Sequence, residues 1–274
     1  MAATDGAAGR PQAGPPTPCV LAYAPRERAR SLVRGLFSRR HARTIGVRSA
    51  AECLRAFRTT LVDVVLVDAA APTDTLWEMA ALAREFPSIP FVAIVPLRAA
   101  DAPTVARCIT LDFVDIIVEG VDDGAARELI APHFFSTRFA AALGEPPSRL
   151  SFSTDVQRET WRRIVAHTGR AVRTEELAAA LGVTREHLSR RFAANGAPNL
   201  KRVIDLVRLI AAAELAKNPG YDIRDVSAVL GFASSSHLSS TAQRVVGTKP
   251  ASLSALRTVD LIERFVHGRG RSRS

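Results

Sequence analysis

One short pattern occurs twice in the C-terminal half of the chain and restricts what this half can fold into. A small residue is followed four positions later by a glycine, and an apolar residue comes further on. Ala178 and Gly182 begin the first copy, and Ser227 and Gly231 begin the second. Amphipathic segments flank each glycine, so each copy predicts two helices joined by a tight turn.

Capping residues support both copies. Thr174 and Thr184 stand where the two helices of the first copy should begin, and Asp222 and Ser234 stand there in the second. Such side chains accept hydrogen bonds from the free backbone N–H groups of a helix N-terminus. We therefore expect two helix-turn-helix units, a motif that places its second helix in the major groove of DNA.

A strong helical pattern over Leu200–Lys217 joins the two units, and the sequence Asn218-Pro219-Gly220 stops it. A helix of this length spans roughly 27 Å at about 1.5 Å per residue. With its flanking turns it is long enough to hold two recognition helices about 34 Å apart, which is one turn of B-DNA. The spacing predicts that one chain reads two adjacent major-groove segments.

The charge of the chain is confined to this same half. Residues 1–145 contain 16 basic and 16 acidic residues, whereas residues 146–274 contain 21 basic and 11 acidic residues and so carry the whole net charge of +10. A neutral half joined to a basic half favours a control domain attached to a polyanion-binding domain.

The N-terminal half alternates short apolar runs with amphipathic stretches. Helical patterns lie near 26–38, 49–59, 74–86 and 101–109, and a fifth follows from about 123. The middle runs are apolar on both faces, as in a parallel sheet covered by helices on each side. Five strand–helix units predict a doubly wound, flavodoxin-like α/β domain. The predicted strands are Cys19–Ala24, Arg43–Val47, Val62–Val67, Phe91–Val95 and Phe113–Val118.

These patterns divide the chain, with Pro146 and Pro147 marking the linker. The predicted segments are a disordered tail (1–17), the α/β domain (18–143), the linker (144–153), an all-α domain with both helix-turn-helix units (154–258), and a short helix with a basic tail (259–274). Arg269, Arg271 and Arg273 in that tail would add salt-sensitive affinity for DNA.

The chain shows no apolar run long enough for a membrane span and no signal-peptide order at its start. Cys19, Cys53 and Cys108 match no metal spacing, and their apolar neighbours favour buried thiols. We therefore expect a cytoplasmic, nucleoid-associated protein.

Residues 155–257 resemble the DNA-binding domain of AraC/XylS-type transcription regulators. The motifs that carry the resemblance are LAAALGVTREHLSRRF, the connecting helix, and DVSAVLGFASSSHLSSTAQRVVGTKPASL. The pair Gly231-Phe232 and the later Gly247-Thr248-Lys249-Pro250 are its most specific parts. The resemblance implies a transcription regulator that binds double-stranded DNA, and RNA polymerase is a further candidate partner.

The two second helices supply the candidate DNA-binding side chains. Arg190 suits bidentate pairing with guanine, and Glu186 suits cytosine. The serine-rich start of the other helix offers phosphate contacts that carry little sequence information, so we expect the first unit to contribute more specificity. The candidates are Thr184, Arg185, Glu186, Ser189, Arg190, Ser234, Ser235, Ser236, His237, Ser240 and Arg244.

The N-terminal half, with VDVVLVDAAAP at its third strand, resembles the receiver domain of response regulators. Asp68 falls where receivers place the aspartate that accepts phosphate. This chemistry also needs two acidic residues after the first strand, a hydroxyl residue at the end of the fourth strand and a lysine at the end of the fifth. The end of the first strand carries Arg26, with Glu27 as the only acidic residue nearby, and Pro96 and Glu119 lie at the other two strand ends. We expect a degenerate receiver-like domain used for homodimer formation or for sensing a signal.

Two alternatives remain open at this point. One is a response regulator controlled by phosphorylation of Asp68, and the other is a nonspecific DNA-coating protein driven by the basic half. The sequence carries no phosphate-binding loop, nucleophile elbow or His-Glu-x-x-His pair, so we expect neither an enzyme nor a cofactor or metal site.

Overall fold

The computed structural model describes residues 14–38, 40–70 and 73–268. Residues 1–13 of the predicted tail and the predicted basic end at 269–274 lie outside the described residues.

Five parallel strands form one sheet in the order β2-β1-β3-β4-β5, which confirms the predicted α/β fold. This order is that of flavodoxin-like sheets. β1, β3 and β4 are buried along their whole length because helices cover both faces, whereas the edge strand β2 is largely exposed. The strands are β1 (Cys19–Tyr23), β2 (Arg43–Gly46), β3 (Val64–Asp68), β4 (Phe91–Val95) and β5 (Asp115–Val118).

Helices follow the strands as the amphipathic patterns predict. One face of the sheet is covered by Val33 of the first helix and Ile130 of the fifth, which pack with Val20 and Leu66 in one apolar layer. The helices of this half are α1 (Glu27–Leu36), α2 (Ala50–Thr59), α3 (Asp74–Glu85), α4 (Ala102–Thr110), α5 (Ala126–Ile130) and α6 (Phe135–Ala142).

The described part of the C-terminal half contains helices and turns and no strand, as predicted. The predicted connecting helix, α10, ends at Leu215 before the Asn218-Pro219-Gly220 stop. The helices are α7 (Asp155–Ala166), α8 (Thr174–Ala180), α9 (Arg185–Phe192), α10 (Leu200–Leu215), α11 (Ile223–Val229), α12 (Ser235–Val246) and α13 (Thr258–His267).

Three of the four predicted caps are confirmed. The side chains of Thr184, Asp222 and Ser234 accept backbone hydrogen bonds at the starts of α9, α11 and α12. The prediction for Thr174 is wrong, since α8 begins at that residue. Its N-cap is Arg173, whose backbone N–H donates to the Glu176 carboxylate at 3.2 Å, so the cap lies one position earlier.

The second apolar layer of the sheet continues without a break into the core of the C-terminal half. α2 packs against α11, the first helix of the second helix-turn-helix unit. The Tyr221 hydroxyl donates to the backbone oxygen of Phe57 at 3.1 Å, and the Tyr221 ring meets the Phe86 ring edge-on at 5.0 Å. The Gly220 N–H donates to the backbone oxygen of Glu85 at 3.0 Å. Both halves therefore share one hydrophobic core.

A buried carboxylate adds a polar connection to this contact. Asp63, just before β3, accepts hydrogen bonds from the backbone N–H groups of Cys19 at 2.7 Å and Ser136 at 2.9 Å. The Arg170 guanidinium of the C-terminal half lies 3.9 Å from Asp63 and donates to the backbone oxygen of Leu61. These contacts lie at the N-terminal ends of the strands, opposite the strand ends where Asp68 lies.

All three cysteines are free and buried, as predicted. Burial raises the pKa of the Cys53 thiol to about 12 and that of Cys108 to about 11. Across the described residues, every helix is too short or too polar to cross a membrane.

Candidate nucleic-acid interface

α9, the predicted recognition helix of the first unit, presents a charged face to solvent. Arg190 and Glu186 are exposed, and neither side chain has a partner among the described residues. Arg185 instead pairs with Glu175 of α8 at 3.2 Å, which directs it toward its own unit. His187 is also exposed on α9, and sequence reasoning left it out of the candidate set. Leu188 and Phe192, on the opposite side of α9, are buried, so the charged face of the helix points toward solvent.

α12, the predicted recognition helix of the second unit, is exposed at Ser236, His237 and Ser240. Its hydroxyls are partly occupied inside the helix, since Ser240 donates to the backbone oxygen of His237 at 3.1 Å. Ser235 is half-buried, as is Ser189 of α9. This helix therefore offers fewer free donors than its serine content suggests.

Two further residues of α12 bear on the candidate set. Arg244, a predicted DNA-binding residue, pairs with the buried Asp205 of α10 at 2.9 Å and so ties α12 to the connecting helix. Gln243 is exposed and was missed. It follows Ser236 and Ser240 at helical spacing, and that spacing was the signal that would have found it. Its amide is suited to bidentate pairing with adenine.

The connecting helix also fixes the turn of the second unit. The guanidinium of Arg208, on α10, lies 3.7 Å from the centre of the Phe232 ring. It donates to the backbone oxygens of Leu230 at 3.2 Å and Gly231 at 3.1 Å. Gly231 itself has φ +64°, a left-handed conformation that glycine adopts without strain. Burial lowers the pKa of Arg208, and the stacking and hydrogen bonds stabilise its charge.

Both recognition helices remain accessible from the same molecule. The α/β domain packs through α2 onto α11, the first helix of the second unit, which we call the scaffold helix. This contact leaves the exposed residues of α9 and α12 uncovered. The docked arrangement of the two halves is therefore compatible with DNA binding.

A separate ion cluster occupies the strand ends near Asp68. The Arg26 guanidinium contacts Asp68 at 2.7 Å and Glu119 at 2.5 Å. Burial opposes the charge of Arg26, but the hydrogen bonds that it donates to Glu119 and Asp68 outweigh this and raise its pKa. The cation next to Asp68 is thus the guanidinium of Arg26, a side chain of this protein. Among the described residues, no group of His, Cys, Asp and Glu side chains is arranged to hold a metal ion.

A protein-family model described as a helix-turn-helix domain matches residues 177–255. Curated protein sequences give no match to this chain.

Several solved structures are similar to most of the chain at low identity. Full-length FixJ from B. japonicum is 13% identical, with a TM-score of 0.37 over 68% of this chain and 94% of that chain. RcsB from Salmonella typhimurium is 14% identical, with a TM-score of 0.35 over 64% of this chain and 87% of that chain. A response regulator from Burkholderia pseudomallei is 18% identical, with a TM-score of 0.34 over 65% and 99%.

The matched segment contains α9, α10, α11 and α12, and its motifs are those of the AraC/XylS resemblance. The sheet that precedes it has the strand order 2-1-3-4-5. Residues 177–255 therefore match a helix-turn-helix domain, with motifs similar to those of AraC/XylS-type regulators, and they follow an α/β domain with the flavodoxin-like strand order.

Proposed function

We propose that this protein is a sequence-specific transcription regulator in which α9 and α12 read adjacent major-groove segments of one DNA site. The receiver-like domain serves dimer formation or signal sensing. We keep the predicted division of the chain at the linker, residues 144–153, as part of this proposal.

The observation that carries the proposal is the free surface of both recognition helices in a chain whose two halves are already packed together. α10 orients the second unit through Arg208 and through Asp205, which pairs with Arg244. A fixed connection between two units favours reading of sites at a defined spacing, whereas nonspecific coating of DNA requires only charge.

The two units are expected to contribute unequally. Arg190 of α9 is unpaired among the described residues and long enough to reach base edges. On α12 the serine hydroxyls partly bond within the helix, and Gln243 is the side chain best suited to base pairing. We therefore place most of the discrimination on α9 and a smaller part on Gln243.

The direct test is selection of fragmented source-genome DNA by the purified full-length protein at near-physiological salt. Enrichment of a few upstream regions that share a motif about two helical turns long supports the proposal. Uniform recovery of fragments with a steep salt dependence would support the DNA-coating alternative instead.

A variant sharpens this test. Arg190→Ala should weaken binding to the selected site by about 1–3 kcal/mol and relax the preference at one base position. Arg162→Ala is the matched control, because it removes one positive charge from the exposed side of α7, outside both recognition helices. Equal losses in both variants would mean that Arg190 contributes charge alone.

The geometry near Asp68 disfavours control by phosphorylation. Both carboxylate oxygens of Asp68 accept hydrogen bonds from Arg26, and the side chain is fully buried. Asp68→Asn should therefore leave regulated transcription unchanged, apart from any loss of stability. Incorporation of phosphate at Asp68 from acetyl phosphate would revive the alternative.

The homodimer in this proposal has a candidate surface along the β5 edge. Large apolar side chains that are exposed lie on the segments next to this strand. Exposed apolar groups of this kind mark association surfaces when they cluster. They are Leu97, Ile109, Val114, Val121 and Leu129.

A further inference from the structure

A cavity of about 760 Å³ opens at the C-terminal ends of β1 and β2. Open α/β sheets bind ligands at these strand ends, and ligand pockets span roughly 300–1,000 Å³. The cavity is separate from the ion cluster at Asp68 and from both recognition helices, since none of those residues lines it.

The wall of the cavity combines apolar and cationic groups. Val33 of α1 and Val47 after β2 are buried and supply apolar surface. Arg30, Arg34 and Arg48 also line it. A cavity with this composition suits a molecule that has an apolar body and a negative charge.

The positive charge at the cavity is only partly neutralised. Arg30 and Arg34 both pair with the exposed Glu27, and the hydrogen bonds from Arg30 and Arg34 lower the pKa of that carboxyl group. Arg48 has no side-chain partner among the described residues. Three guanidinium groups thus stand near two carboxylates, Glu27 and Glu52, the second of which accepts the backbone N–H of Arg48 at 2.8 Å. One positive charge is left for a bound anion.

Tyr23 adds a polar group to the cavity wall. This residue ends β1, lines the cavity and is only 6% exposed, so most of its ring is covered. Its hydroxyl oxygen is not among the fully buried atoms that lack a partner, so it is accessible from the cavity. A phenolic hydroxyl in this position is able to donate to or accept from a bound molecule.

We propose that this cavity binds a small organic anion with an aromatic or similarly apolar body. The anionic group pairs with Arg34 and Arg48, the apolar body packs on Val33 and Val47, and the Tyr23 hydroxyl donates to or accepts from the ligand. The chemical class is an organic carboxylate, sulfonate or phosphate monoester.

Helix α2 connects this cavity with the DNA-binding half, and this step rests on the function proposed above. Arg48 immediately precedes Ser49, the N-cap of α2. At its other end α2 packs on α11, and its Phe57 backbone oxygen accepts the Tyr221 hydrogen bond. A ligand that engages Arg48 therefore stabilises α2 and, through it, the scaffold helix of the second unit.

The test uses two fluorescent probes of matched shape on the full-length protein, without DNA. One is the anion 8-anilino-1-naphthalenesulfonate, and the other is the uncharged N-phenyl-1-naphthylamine. We expect the anion to bind about tenfold or more tightly than the uncharged probe, as charge-assisted hydrogen bonds predict. Equal affinity for both probes would overturn the anion site.

Variants locate the binding. Arg34→Ala/Arg48→Ala should abolish the preference for the anion, whereas Arg127→Ala/Arg138→Ala, which removes two exposed arginines elsewhere on the domain, should leave it unchanged. Thr44→Trp should block the cavity and lower the affinity for both probes, because Thr44 is an exposed residue of its wall. Unchanged binding in Thr44→Trp would place the probes on another surface and overturn the proposal.

Hydrogen–deuterium exchange then tests the connection. Saturation with the anion should slow exchange in α2 and α11 relative to α13, which lies outside the path. Slowing confined to the cavity wall would overturn the coupling. Because none of these measurements contains DNA, failure of sequence-specific binding in the genomic selection is distinguishable from failure of the ligand site.

Discussion

Arg26 meets the carboxylate of Asp68 in a bidentate contact, with Nη2 lying 2.7 Å from Oδ1 and Nε lying 3.0 Å from Oδ2. The same guanidinium contacts Glu119 across the strand ends. The side chain of Asp68 is 0% exposed and that of Glu119 is 6% exposed. Arg26 is therefore the cation shared by these two buried carboxylates, and we expect it to stabilise the fold.

Arg26→Ala should lower the free energy of unfolding by roughly 3 kcal/mol, since removal of one partner leaves uncompensated buried charge. We take the lower end of the range for buried pairs because Arg26 is partly exposed. Urea unfolding followed by circular dichroism measures the loss. Arg28→Ala is the matched control: it removes an exposed pair with Asp123, which is worth at most about 1 kcal/mol. Equal losses would show that the cluster is not structurally important.

Gly220→Ala should weaken the contact between the two halves. A Cβ at this position would lie 2.3 Å from Cζ of Phe86. Overpacking of this kind costs about 1–3 kcal/mol. Phe86→Leu in the same chain should recover part of the loss, and a double-mutant cycle from urea unfolding measures that coupling.

Gly35→Ala serves as the control for the glycine experiment. Gly35 lies in α1, and a Cβ there has nothing within 4 Å. This variant should gain stability by about 0.5–1 kcal/mol, because alanine is the better helix former. A loss of stability for Gly35→Ala would contradict the steric account of Gly220.

Arg208→Lys should destabilise the second helix-turn-helix unit although the charge is retained. Lysine cannot stack as a plane on Phe232 while donating to both Leu230 and Gly231. A loss of about 2 kcal/mol follows from the charge-assisted hydrogen bonds. Faster hydrogen exchange in α11 and α12 than in α8 and α9 would locate the defect, and uniform exchange would contradict it.

Ile109→Glu and Val121→Glu should shift the protein toward monomer if the β5 edge is the dimer surface. Val121 is 79% exposed and Ile109 is 60% exposed, so neither substitution disturbs the core. Sedimentation velocity reports the oligomeric state. The control is Arg55→Glu at an exposed position of α2, which should leave the oligomeric state unchanged. A monomeric parent protein would remove the homodimer from the proposed function.

Local patterns predicted most of the architecture. Period-two and continuous apolar runs placed β1 to β5 to within two residues at most ends, and glycine turns with Asp or Ser caps placed α11 and α12. These signals lie within a few residues of one another in the chain. The predicted N-cap of α8, Thr174, lies one residue after the observed N-cap, Arg173. The Glu176 carboxylate accepts a hydrogen bond from the Arg173 backbone N–H, and no hydrophobic periodicity in the sequence indicates this bond.

Contacts between distant residues could not be predicted in the same way. The sequence showed that Arg26 and Glu119 stand near strand ends, but not that Arg26 contacts both Asp68 and Glu119, which lie 42 and 93 positions away in the chain. The pairing of Arg244 with Asp205 also escapes sequence patterns, because it depends on how α12 crosses α10. The contact between the rings of Phe86 and Tyr221 likewise forms only when the two halves, which appear as separate domains in the sequence, pack together.

The shared core has a consequence for how far this protein is modular. Residues such as Phe57, Phe86 and Tyr221 pack together across the boundary between the α/β half and the helical half. Fusing either half to an unrelated domain would expose the apolar surface that the two halves bury against each other. Changes at one side of this boundary therefore have to be matched on the other, so the two halves are expected to vary as a pair and not as exchangeable parts.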